Sequence, residues 1–486
     1  MPLDADSCFR ALAARDPRFD GTFFVGVTTT GIYCRPVCRA RTPGRDRCVF
    51  FRSAAEAERA AFRACFLCRP ELAPRDGRSA VSALVAAAVA RIEAGFLDEG
   101  SVEGLAAAVG ATSRHLRRRM LAEVGAAPVE LAQSLRLGLA KRLLQDSALP
   151  LAEVALASGF GSVRRFNAAF RARFERPPSA LRREHGAPIA GDAILLRLDF
   201  RPPLDWEALL AFLRVRAVPG VERVEGGVYR RTVRLGEARG WVAVRPAAAG
   251  KALSAEVSPS LAGALVPLVG RLRALLDLDA HPAAVDGHLG TDPGLAPLVL
   301  RHPGLRVPGA FDAFETAVRA VLGQQVSVAA ATTLAGRMAR TQGDAVATPF
   351  HGLDRVFPPP EAVAALDEDA VARIGMPGAR ARTLLALARG WAALGLDRRC
   401  GGLQGELDRA MDALRAIPGV GPWTASYLGM RALGAPDAFP AADLGLRKAL
   451  GGISAARAAA HAEGWRPWRS YATLHLWTAL SEGALP

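Results

Sequence analysis

Apolar residues recur at helical intervals around a turn in the stretch 101–125, "SVEGLAAAVGATSRHLRRRMLAEVG". Leu105 and Val109 lie four residues apart, and Leu116 follows beyond Gly110, a residue type that favours turns. Side chains four residues apart share one face of a helix. The pattern therefore predicts two short amphipathic helices joined by a tight turn at Gly110.

The same plan recurs in "LAEVALASGFGSVRRFNAAFRARFERPPSALRR" (151–183), where Ala106 and Gly110 reappear as Ala155 and Gly159. A small residue where two helices cross, followed by glycine in the turn, is typical of a helix-turn-helix motif. The second helix of each copy is rich in arginine: Arg114, Arg117, Arg118 and Arg119, then Arg164, Arg165, Arg171 and Arg173. Two copies of this motif, with the alanine and the glycine at the same spacing, favour DNA binding. The alternative is that these helices only pack against one another or against the preceding segment.

After "HGAPIAGD" (185–192), a linker-like stretch with Gly and Pro, the pattern becomes strand-like. The runs "AILLRLDF", "VYRRTVRL" and "WVAVRP" surround a helical "WEALLAFLRVRA". They predict a small α+β unit over about 190–280. From about residue 305 the helical pattern returns, so the whole chain is expected to be multidomain and mainly α.

A helix-hairpin-helix is predicted in "LRAIPGVGPWTASYLGMRAL" (414–433). Gly419 and Gly421 allow a close approach, so the hairpin amides and the N-terminus of the next helix can face a phosphate group. Such a contact is independent of base sequence. A lone "PGVG" is also compatible with a simple helix connector.

The charge of the chain suggests a polyanionic partner. The chain has 486 residues, enough for three or four domains, and half of these residues are hydrophobic. Its net charge is +15. Only Lys141, Lys251 and Lys448 are lysines, so arginine, whose planar fork suits phosphate groups, carries the charge. A solvated basic surface is the alternative. The N-terminus has acids and no apolar core, and no apolar run reaches the about 18–20 residues of a membrane helix. A cytoplasmic protein that does not enter membranes is expected.

Four of the seven cysteines form two close pairs, Cys34 with Cys38 and Cys65 with Cys68. Two such pairs can place four sulfurs at the corners of a tetrahedron, the geometry that zinc accepts. A purely structural zinc site and unrelated free thiols are the alternatives that the spacing leaves open.

Residues 16–70, "DPRFDGTFFVGVTTTGIYCRPVCRAR…FRACFLCRP", resemble the zinc domain of Ada-type adaptive-response proteins. The resemblance implies that Cys34, Cys38, Cys65 and Cys68 bind one Zn²⁺. It also implies that Cys34 is a nucleophile, which takes the methyl group from a methylphosphotriester in damaged DNA. Thr30, Arg39, Arg41 and Arg63 match the DNA-contacting positions of that family.

The charge of this zinc centre suggests a switch. Four thiolates on one Zn²⁺ sum to −2, which repels a phosphate backbone, whereas methylation of one sulfur leaves −1. Our hypothesis is that methyl transfer to Cys34 turns a weak DNA binder into a strong one.

Residues 80–185, ending in "FNAAFRARFERPPSALRR", resemble an AraC-type DNA-binding domain. Its recognition-helix candidates are the residues that open each arginine-rich helix: Ser113, Arg114, Arg117, Ser162, Arg164 and Arg165. The resemblance implies a transcription activator that binds promoter DNA, with RNA polymerase as a further expected partner.

Residues 190–486 resemble the helix-hairpin-helix DNA glycosylases, above all the AlkA-type 3-methyladenine glycosylases. The matching stretches are the hairpin, "FETAVRAVLGQQVSVAAA", "DAFPAADLGLRKAL" and "WRPWRSYATLHLW". The resemblance implies that Asp443 is the catalytic carboxylate and that Trp423, Tyr427 and Trp477 line the base pocket. A plain helix N-cap is the alternative role for Asp443.

Three further expectations follow from this resemblance. Gln325 occupies the place of the residue that the family wedges into DNA. Trp423 stands where glycosylases that also cut the backbone carry a lysine, so a monofunctional enzyme that leaves an abasic site is expected. A monovalent cation is expected on the hairpin carbonyls around Arg415, Ile417 and Gly419.

These patterns predict a monomeric alkylation-response protein that combines a sensor, an activator and a DNA-3-methyladenine glycosylase II acting on double-stranded DNA. Two alternatives are a regulator whose glycosylase-like half only binds DNA, and a glycosylase whose zinc site is structural. The expected domains are a zinc α+β domain (1–76), an all-α double helix-turn-helix (77–186), a β-rich α+β subdomain (190–300) and an all-α helix-hairpin-helix glycosylase domain (301–486).

Overall fold

The computed structural model describes residues 4–75, 81–93, 95–185, 193–248, 250–376, 378–394 and 404–484. The chain forms two compact units, one of residues 1–202 with 246–270 and the other of residues 203–245 with 271–486. The predicted linker (185–192) lies outside the described residues except for His185, and the predicted domain boundaries at 76–77 and 186–190 lie outside them as well. Residues of the predicted subdomain 190–300 fall in both units.

The first unit begins with a small α+β domain. Its elements are α1 (Ala5–Ala14), β1 (Phe24–Val27), β2 (Ile32–Cys34), β3 (Cys48–Phe51), α2 (Ala54–Arg59) and β4 (Arg63–Ala64). The four strands form one sheet in the order β3-β1-β2-β4, in which only the β2–β4 pair is parallel. Tyr33 pairs with Ala64 in that register. Since parallel strands end at the same edge, Cys34 and Cys65 emerge side by side.

A helical region follows in the same unit. Its helices are α3 (Ala83–Glu93), α4 (Phe96–Glu99), α5 (Val102–Ala108), α6 (Ser113–Glu123), α7 (Pro128–Asp146), α8 (Leu151–Ala157), α9 (Val163–Phe174) and α10 (Pro178–His185). Gly110 and Gly159 have φ angles of 71° and 78°, the left-handed conformation that glycine adopts readily. The turns predicted between α5 and α6 and between α8 and α9 are therefore confirmed.

The remaining strands are β5 (Ile194–Asp199), β6 (Glu222–Glu225), β7 (Val228–Leu235), β8 (Ala238–Pro246) and β9 (Ala252–Val257). In the first unit, β5 pairs with β9 in antiparallel fashion, with Leu198 opposite Leu253. In the second unit, β6, β7 and β8 are joined by antiparallel pairing. The strand-like runs of the sequence are thus strands.

The second unit is otherwise helical. Its helices are α11 (Trp206–Arg214), α12 (Leu265–Leu275, which begins in the first unit), α13 (Pro282–Leu289), α14 (Ala296–Arg301), α15 (Ala313–Leu322), α16 (Val328–Gln342), α17 (Pro360–Ala364), α18 (Glu368–Arg373), α19 (Gly378–Leu394), α20 (Gln404–Arg415), α21 (Pro422–Arg431), α22 (Leu444–Ala449), α23 (Ala455–His461) and α24 (Arg469–Ser481). Short 3-10 helices span Pro17–Phe19, Arg45–Arg47, Pro70–Leu72, Pro259–Ala264 and Ala462–Trp465.

Two apolar clusters of described residues pack helices of the second unit together. One includes Phe314, Met338, Leu384 and Leu428, which join α15, α16, α19 and α21. The other gathers α13, α14 and α24. The hairpin between α20 and α21 is thereby fixed on one core, and α24 is fixed on the other. The multidomain, mainly helical class is confirmed. Across the described ranges, no helix combines the length and the apolar character needed to cross a bilayer.

Candidate metal centre and candidate active site

The four paired cysteines meet at one point of the first unit. The sulfurs of Cys34, Cys38, Cys65 and Cys68 all lie within 4.8 Å of one another. A tetrahedral zinc ion with Zn–S distances of about 2.3 Å needs sulfurs about 3.8 Å apart. Four convergent thiol groups are also the donor set that zinc prefers, so these residues fit one Zn²⁺.

The other described cysteines lie apart from this centre. Cys8 and Cys48 belong to an apolar cluster with Leu12 and Phe23. Burial raises the pKa of the Cys8 thiol to about 11, which disfavours a reactive thiolate. These two cysteines are therefore structural.

Backbone N–H groups contact sulfurs of this centre. The Arg35 N–H lies 3.3 Å from Cys68 Sγ and donates to it. The backbone N–H groups of Ala40 and Cys68 interact with Cys38 and Cys65. Cys34 Sγ itself lies among the sulfurs of Cys38, Cys65 and Cys68.

Three of the four residues predicted to contact DNA beside this centre are exposed: Thr30, Arg39 and Arg41. Arg63 is half-buried, and its Nη1 lies 2.8 Å from Glu175 Oε2. Exposed ion pairs contribute only about 0–1 kcal/mol. A phosphate group can therefore replace Glu175 as the partner of Arg63 at little cost.

The recognition-helix candidates occupy the start of α6 and α9. Arg114, Arg117, Arg164 and Arg165 are all exposed. Ser162 is the N-cap of α9, and its hydroxyl accepts a hydrogen bond from the Arg165 N–H at 3.2 Å. The cap fixes the first turn of α9, so the two arginines project from an ordered helix end.

In the second unit, Asp443 accepts hydrogen bonds from two tryptophans. Oδ2 lies 2.8 Å from Trp423 Nε1, and Oδ1 lies 3.0 Å from Trp477 Nε1. Oδ1 also accepts the Leu446 N–H at 2.8 Å, as the N-cap of α22. The N-cap interpretation is therefore correct for Oδ1, and it coexists with a carboxylate that the two indoles hold in place.

The aromatic residues predicted for the base pocket lie together. Trp423 and Tyr427 are stacked, with ring centroids 5.3 Å apart and planes 14° apart. The Tyr427 and Trp477 centroids are 6.4 Å apart. Arg431 Nη1 donates to the Tyr427 hydroxyl at 2.8 Å. Burial opposes ionisation of that phenol, but Arg431, Arg216 and Arg319 outweigh it and lower the pKa of Tyr427.

The hairpin between α20 and α21 requires one of its two glycines. Gly419 has a φ of 86°, and a Cβ there would lie 2.0 Å from Thr383 Oγ1. Gly421 is the N-cap of α21, with a φ of −84° and open space around its missing side chain. The fold therefore requires glycine at position 419. At position 421 the fold leaves room for a side chain, and that space is exposed to solvent.

Gln324 joins the hairpin to the loop after α15, a role that sequence reasoning missed. Its Nε2 donates to Gly419 O and to Thr424 Oγ1, both at 3.0 Å. One carbonyl expected to bind a monovalent cation therefore has a protein donor, and cation binding stays a prediction. The doubled glutamine of "GQQVS" was the only signal for this contact.

The neighbouring Gln325 is presented outward. It is exposed and has a φ of 58°, an unusual backbone conformation for a non-glycine residue. Arg380 Nη1 donates to the Leu322 and Gln324 carbonyls, both at 3.2 Å. Strained residues held by their surroundings cluster at functional sites. This geometry is compatible with the predicted wedge.

Four family models match the chain in sequence. They are the metal binding domain of Ada (residues 7–71), a helix-turn-helix domain (105–184), the AlkA N-terminal domain (195–312) and the HhH-GPD superfamily of base excision DNA repair proteins (318–466). Asp443, Trp423 and Tyr427 lie within the last of these matches.

Similar proteins match the whole chain or its second half in sequence. A probable bifunctional transcriptional activator/DNA repair enzyme AlkA of Mycobacterium tuberculosis is 43% identical over 99% of this chain and 97% of its own length. DNA-3-methyladenine glycosylase 2 of Escherichia coli is 38% identical over 58% of this chain and 95% of its own. A 3-methyladenine DNA glycosylase structure from Archaeoglobus fulgidus matches 60% of this chain and 100% of its own, with a TM-score of 0.52 and 24% identity, and supports the fold. The chain therefore belongs to the family of bifunctional transcriptional activator/DNA repair enzymes AlkA.

Proposed function

We propose that the second unit excises N-alkylated purines such as 3-methyladenine from double-stranded DNA, with Asp443 as the catalytic carboxylate. The observation that carries this proposal is the pair of indole hydrogen bonds to Asp443, which places the carboxylate against the walls of an aromatic site. A regulator that only binds DNA has no need of such an arrangement.

The aromatic site suits a cationic base. The stacked rings of Trp423 and Tyr427 offer π faces to a flipped-out nucleotide. An N-alkylated purine carries a formal positive charge, and cation–π attraction contributes about 2 kcal/mol when the site is desolvated. The undamaged purine is neutral and lacks this attraction, so the site favours the damaged base.

Asp443 assists cleavage of the glycosidic bond. As the C1′–N bond breaks, its electron pair returns to the cationic base, which leaves as a neutral molecule. The sugar gains oxocarbenium character that the carboxylate stabilises. Water adds to C1′, and its proton passes to Asp443 or to solvent. Because Trp423 stands where a Schiff-base lysine would act, the product is an abasic site in an intact strand.

Product analysis tests this proposal. Methylated duplex DNA is incubated with the full chain, the supernatant is examined for free bases by mass spectrometry, and the strands are run on a denaturing gel before and after alkali. We expect free 3-methyladenine and strand breaks only after alkali. Binding without release of any base would favour the non-enzymatic regulator.

We further propose that Cys34 accepts a methyl group from a DNA methylphosphotriester. The Cys34 sulfur attacks the methyl carbon, the C–O bond breaks, and the electron pair stays on the phosphate oxygen as a phosphodiester anion. Bound Zn²⁺ keeps the thiols in the thiolate form. The resemblance of residues 16–70 to the Ada zinc domain puts the acceptor role on Cys34, and the match of residues 7–71 to the metal binding domain of Ada supports it.

Methyl transfer to Cys34 would let the protein activate transcription. Methylation of one thiolate changes the centre from −2 to −1, while Arg39 and Arg41 remain available for phosphate groups. The exposed arginines of α6 and α9 then contact promoter DNA, with RNA polymerase as the expected further partner. Incubation with methylphosphotriester DNA should add one methyl group to Cys34, and promoter affinity should rise at fixed salt. A methyl group on another cysteine, or none, would contradict the acceptor role.

A further inference from the structure

Arg35 lies between two zinc-ligand candidates, and its side chain points into the protein. Its guanidinium is buried, with a residue exposure of 6%. It forms a bidentate ion pair with Asp20, in which Nε lies 2.8 Å from Oδ1. Nη1 lies 2.8 Å from Asp199 Oδ2 and 3.2 Å from the Cys68 carbonyl. Arg35 thus has two carboxylate partners from distant parts of the chain.

The second partner comes from outside the Ada-like segment. Asp199 ends β5 and falls within the stretch that matches the AlkA N-terminal domain. It is 4% exposed and also accepts from Arg197 Nε at 2.6 Å. Asp199 therefore belongs by sequence to the glycosylase half of the chain, but it packs in the first unit, beside the Cys34–Cys38 loop.

Two other arginines fix the strand that carries Asp199. Arg142, on α7, donates to the Arg197 carbonyl at 2.6 Å. Arg201 donates to the Asp20 carbonyl at 3.0 Å and to the Arg75 carbonyl at 2.8 Å. The end of β5 is consequently tied both to α7 and to the segment that holds Asp20.

These contacts act on the geometry of the thiolates. The Arg35 backbone N–H donates to Cys68 Sγ, so the position of this residue orients one sulfur directly. A buried guanidinium that loses one of its carboxylates must shift toward water or distort its loop, since a buried charge needs compensation. Outer partners of metal ligands commonly set ligand orientation in this way.

We infer that Asp199 is a positioning residue for the sensor: through Arg35 it holds the Cys34–Cys38 loop in the conformation that presents Cys34 for methyl transfer. The inference rests on the proposed methyl transfer, and it means that the sensor of this chain is completed by a residue of its glycosylase half. Strand β5 and the Cys34–Cys38 loop are then linked, so that each stabilises the other.

The test compares Asp199→Asn with Asp98→Asn in the full chain. Asp98 is a matched control because it pairs with Arg136 in the helix-turn-helix region of the same unit. With saturating methylphosphotriester DNA, we expect Asp199→Asn to slow methyl transfer roughly 10-fold or more while the Kd for DNA stays unchanged. Asp98→Asn should transfer at the wild-type rate. Equal rates for Asp199→Asn and wild type would overturn the inference.

Cobalt substitution separates this inference from the proposed reaction. The visible absorption of Co²⁺ bound to four thiolates reports their geometry, so Asp199→Asn should shift these bands and Asp98→Asn should not. If wild type accepts no methyl group but the cobalt bands still shift, the proposed methyl transfer fails and the positioning role survives. Unshifted bands would overturn the positioning role.

Hydrogen exchange of the unaltered chain provides a measurement that needs no substitution. Amides of residues 194–199 should exchange more slowly with zinc bound than after its removal, because the ordered loop secures Asp199. Identical exchange in both states would count against the link between β5 and the Cys34–Cys38 loop.

Discussion

Trp423 donates its indole N–H to Asp443 Oδ2 across 2.8 Å, so a ring of the proposed base pocket also holds the carboxylate. Trp477 does the same for Oδ1 at 3.0 Å. In the proposed function, a base that stacks on these rings meets a carboxylate that the two indoles hold in place. We therefore propose that binding of the base and alignment of the Asp443 carboxylate are coupled.

Removal of either indole N–H should lower catalysis. In Trp423→Phe and Trp477→Phe, an aromatic ring remains but the hydrogen bond to Asp443 is lost, so we expect kcat to fall roughly 10- to 100-fold, equivalent to about 1.5–3 kcal/mol. Trp465→Phe is the matched control, because Trp465 Nε1 donates to Asp292 at 2.9 Å, away from Asp443. Single-turnover base release measures the effect. An unchanged kcat in both variants would refute the orienting role.

The two hairpin glycines should respond differently to alanine. Gly419→Ala introduces a clash with Thr383 and a strained φ, so we expect a loss of about 1–3 kcal/mol of stability. Gly421→Ala meets open space and should change stability by less than about 0.5 kcal/mol, while weakening DNA binding at the helix N-terminus.

Tryptophan fluorescence follows the stability of the second unit alone, because all seven tryptophans lie at or beyond residue 206. The Kd for abasic DNA at fixed salt gives the binding effect. A Gly421→Ala protein that binds DNA as tightly as wild type would show that the hairpin does not approach the phosphate backbone.

Cysteine replacements should separate metal ligands from structural thiols. Cys38→Ser removes one of four convergent sulfurs, so we expect zinc release to a chelator to accelerate roughly 10-fold or more. Cys48→Ser should keep one zinc per chain, since Cys48 Sγ donates to the Gly44 carbonyl instead. Metal analysis after dialysis measures both. Equal zinc retention by the two variants would contradict the four-cysteine centre.

Acid should destabilise the second unit through His475. Burial lowers the pKa of this histidine to about 4, from an ordinary value of 6.5, with His302 adding to the effect. A pKa lowered by folding stabilises the protein above pH 6.5, and this stability is lost as pH falls toward 4. The shift corresponds to about 3 kcal/mol.

The matching variant is His475→Phe, in which nothing titrates at this position. Its unfolding free energy, followed by tryptophan fluorescence, should depend less on pH between 6.5 and 4 than that of wild type. Burial opposes protonation of His302, but Asp205 and Glu482 outweigh it and raise the pKa of this histidine, so its contribution to stability is present below pH 6.5 and lost at higher pH. Parallel pH profiles for both proteins would exclude His475 as the cause.

The features that the sequence predicted are those encoded by short stretches of neighbouring residues. The two cysteine pairs, the repeated glycine turns and the hairpin are short patterns with a direct structural meaning. The contacts of Asp443 with Trp423 and Trp477 join residues of three helices, and the pairing of Arg35 with Asp199 spans 164 positions. Such contacts depend on how helices and strands pack, which periodicity does not reveal.

Two residues, Arg63 and Gln324, have contacts that the sequence did not predict. Arg63 matched a DNA-contacting position, but its pairing with Glu175 depends on the packing of β4 near α9. Gln324 carried no role in the sequence because its partners, Gly419 and Thr424, are about a hundred residues away. Both side chains acquire their meaning from tertiary structure.

Release of 3-methyladenine from methylated DNA by wild type, Asp443→Asn and Asp292→Asn tests the glycosylase assignment most directly. Asp292 is the matched control because its carboxylate also accepts an indole N–H and backbone N–H groups. We predict release by wild type and Asp292→Asn, and a rate lower by about 100-fold or more in Asp443→Asn. Release by Asp443→Asn at the wild-type rate would contradict the account.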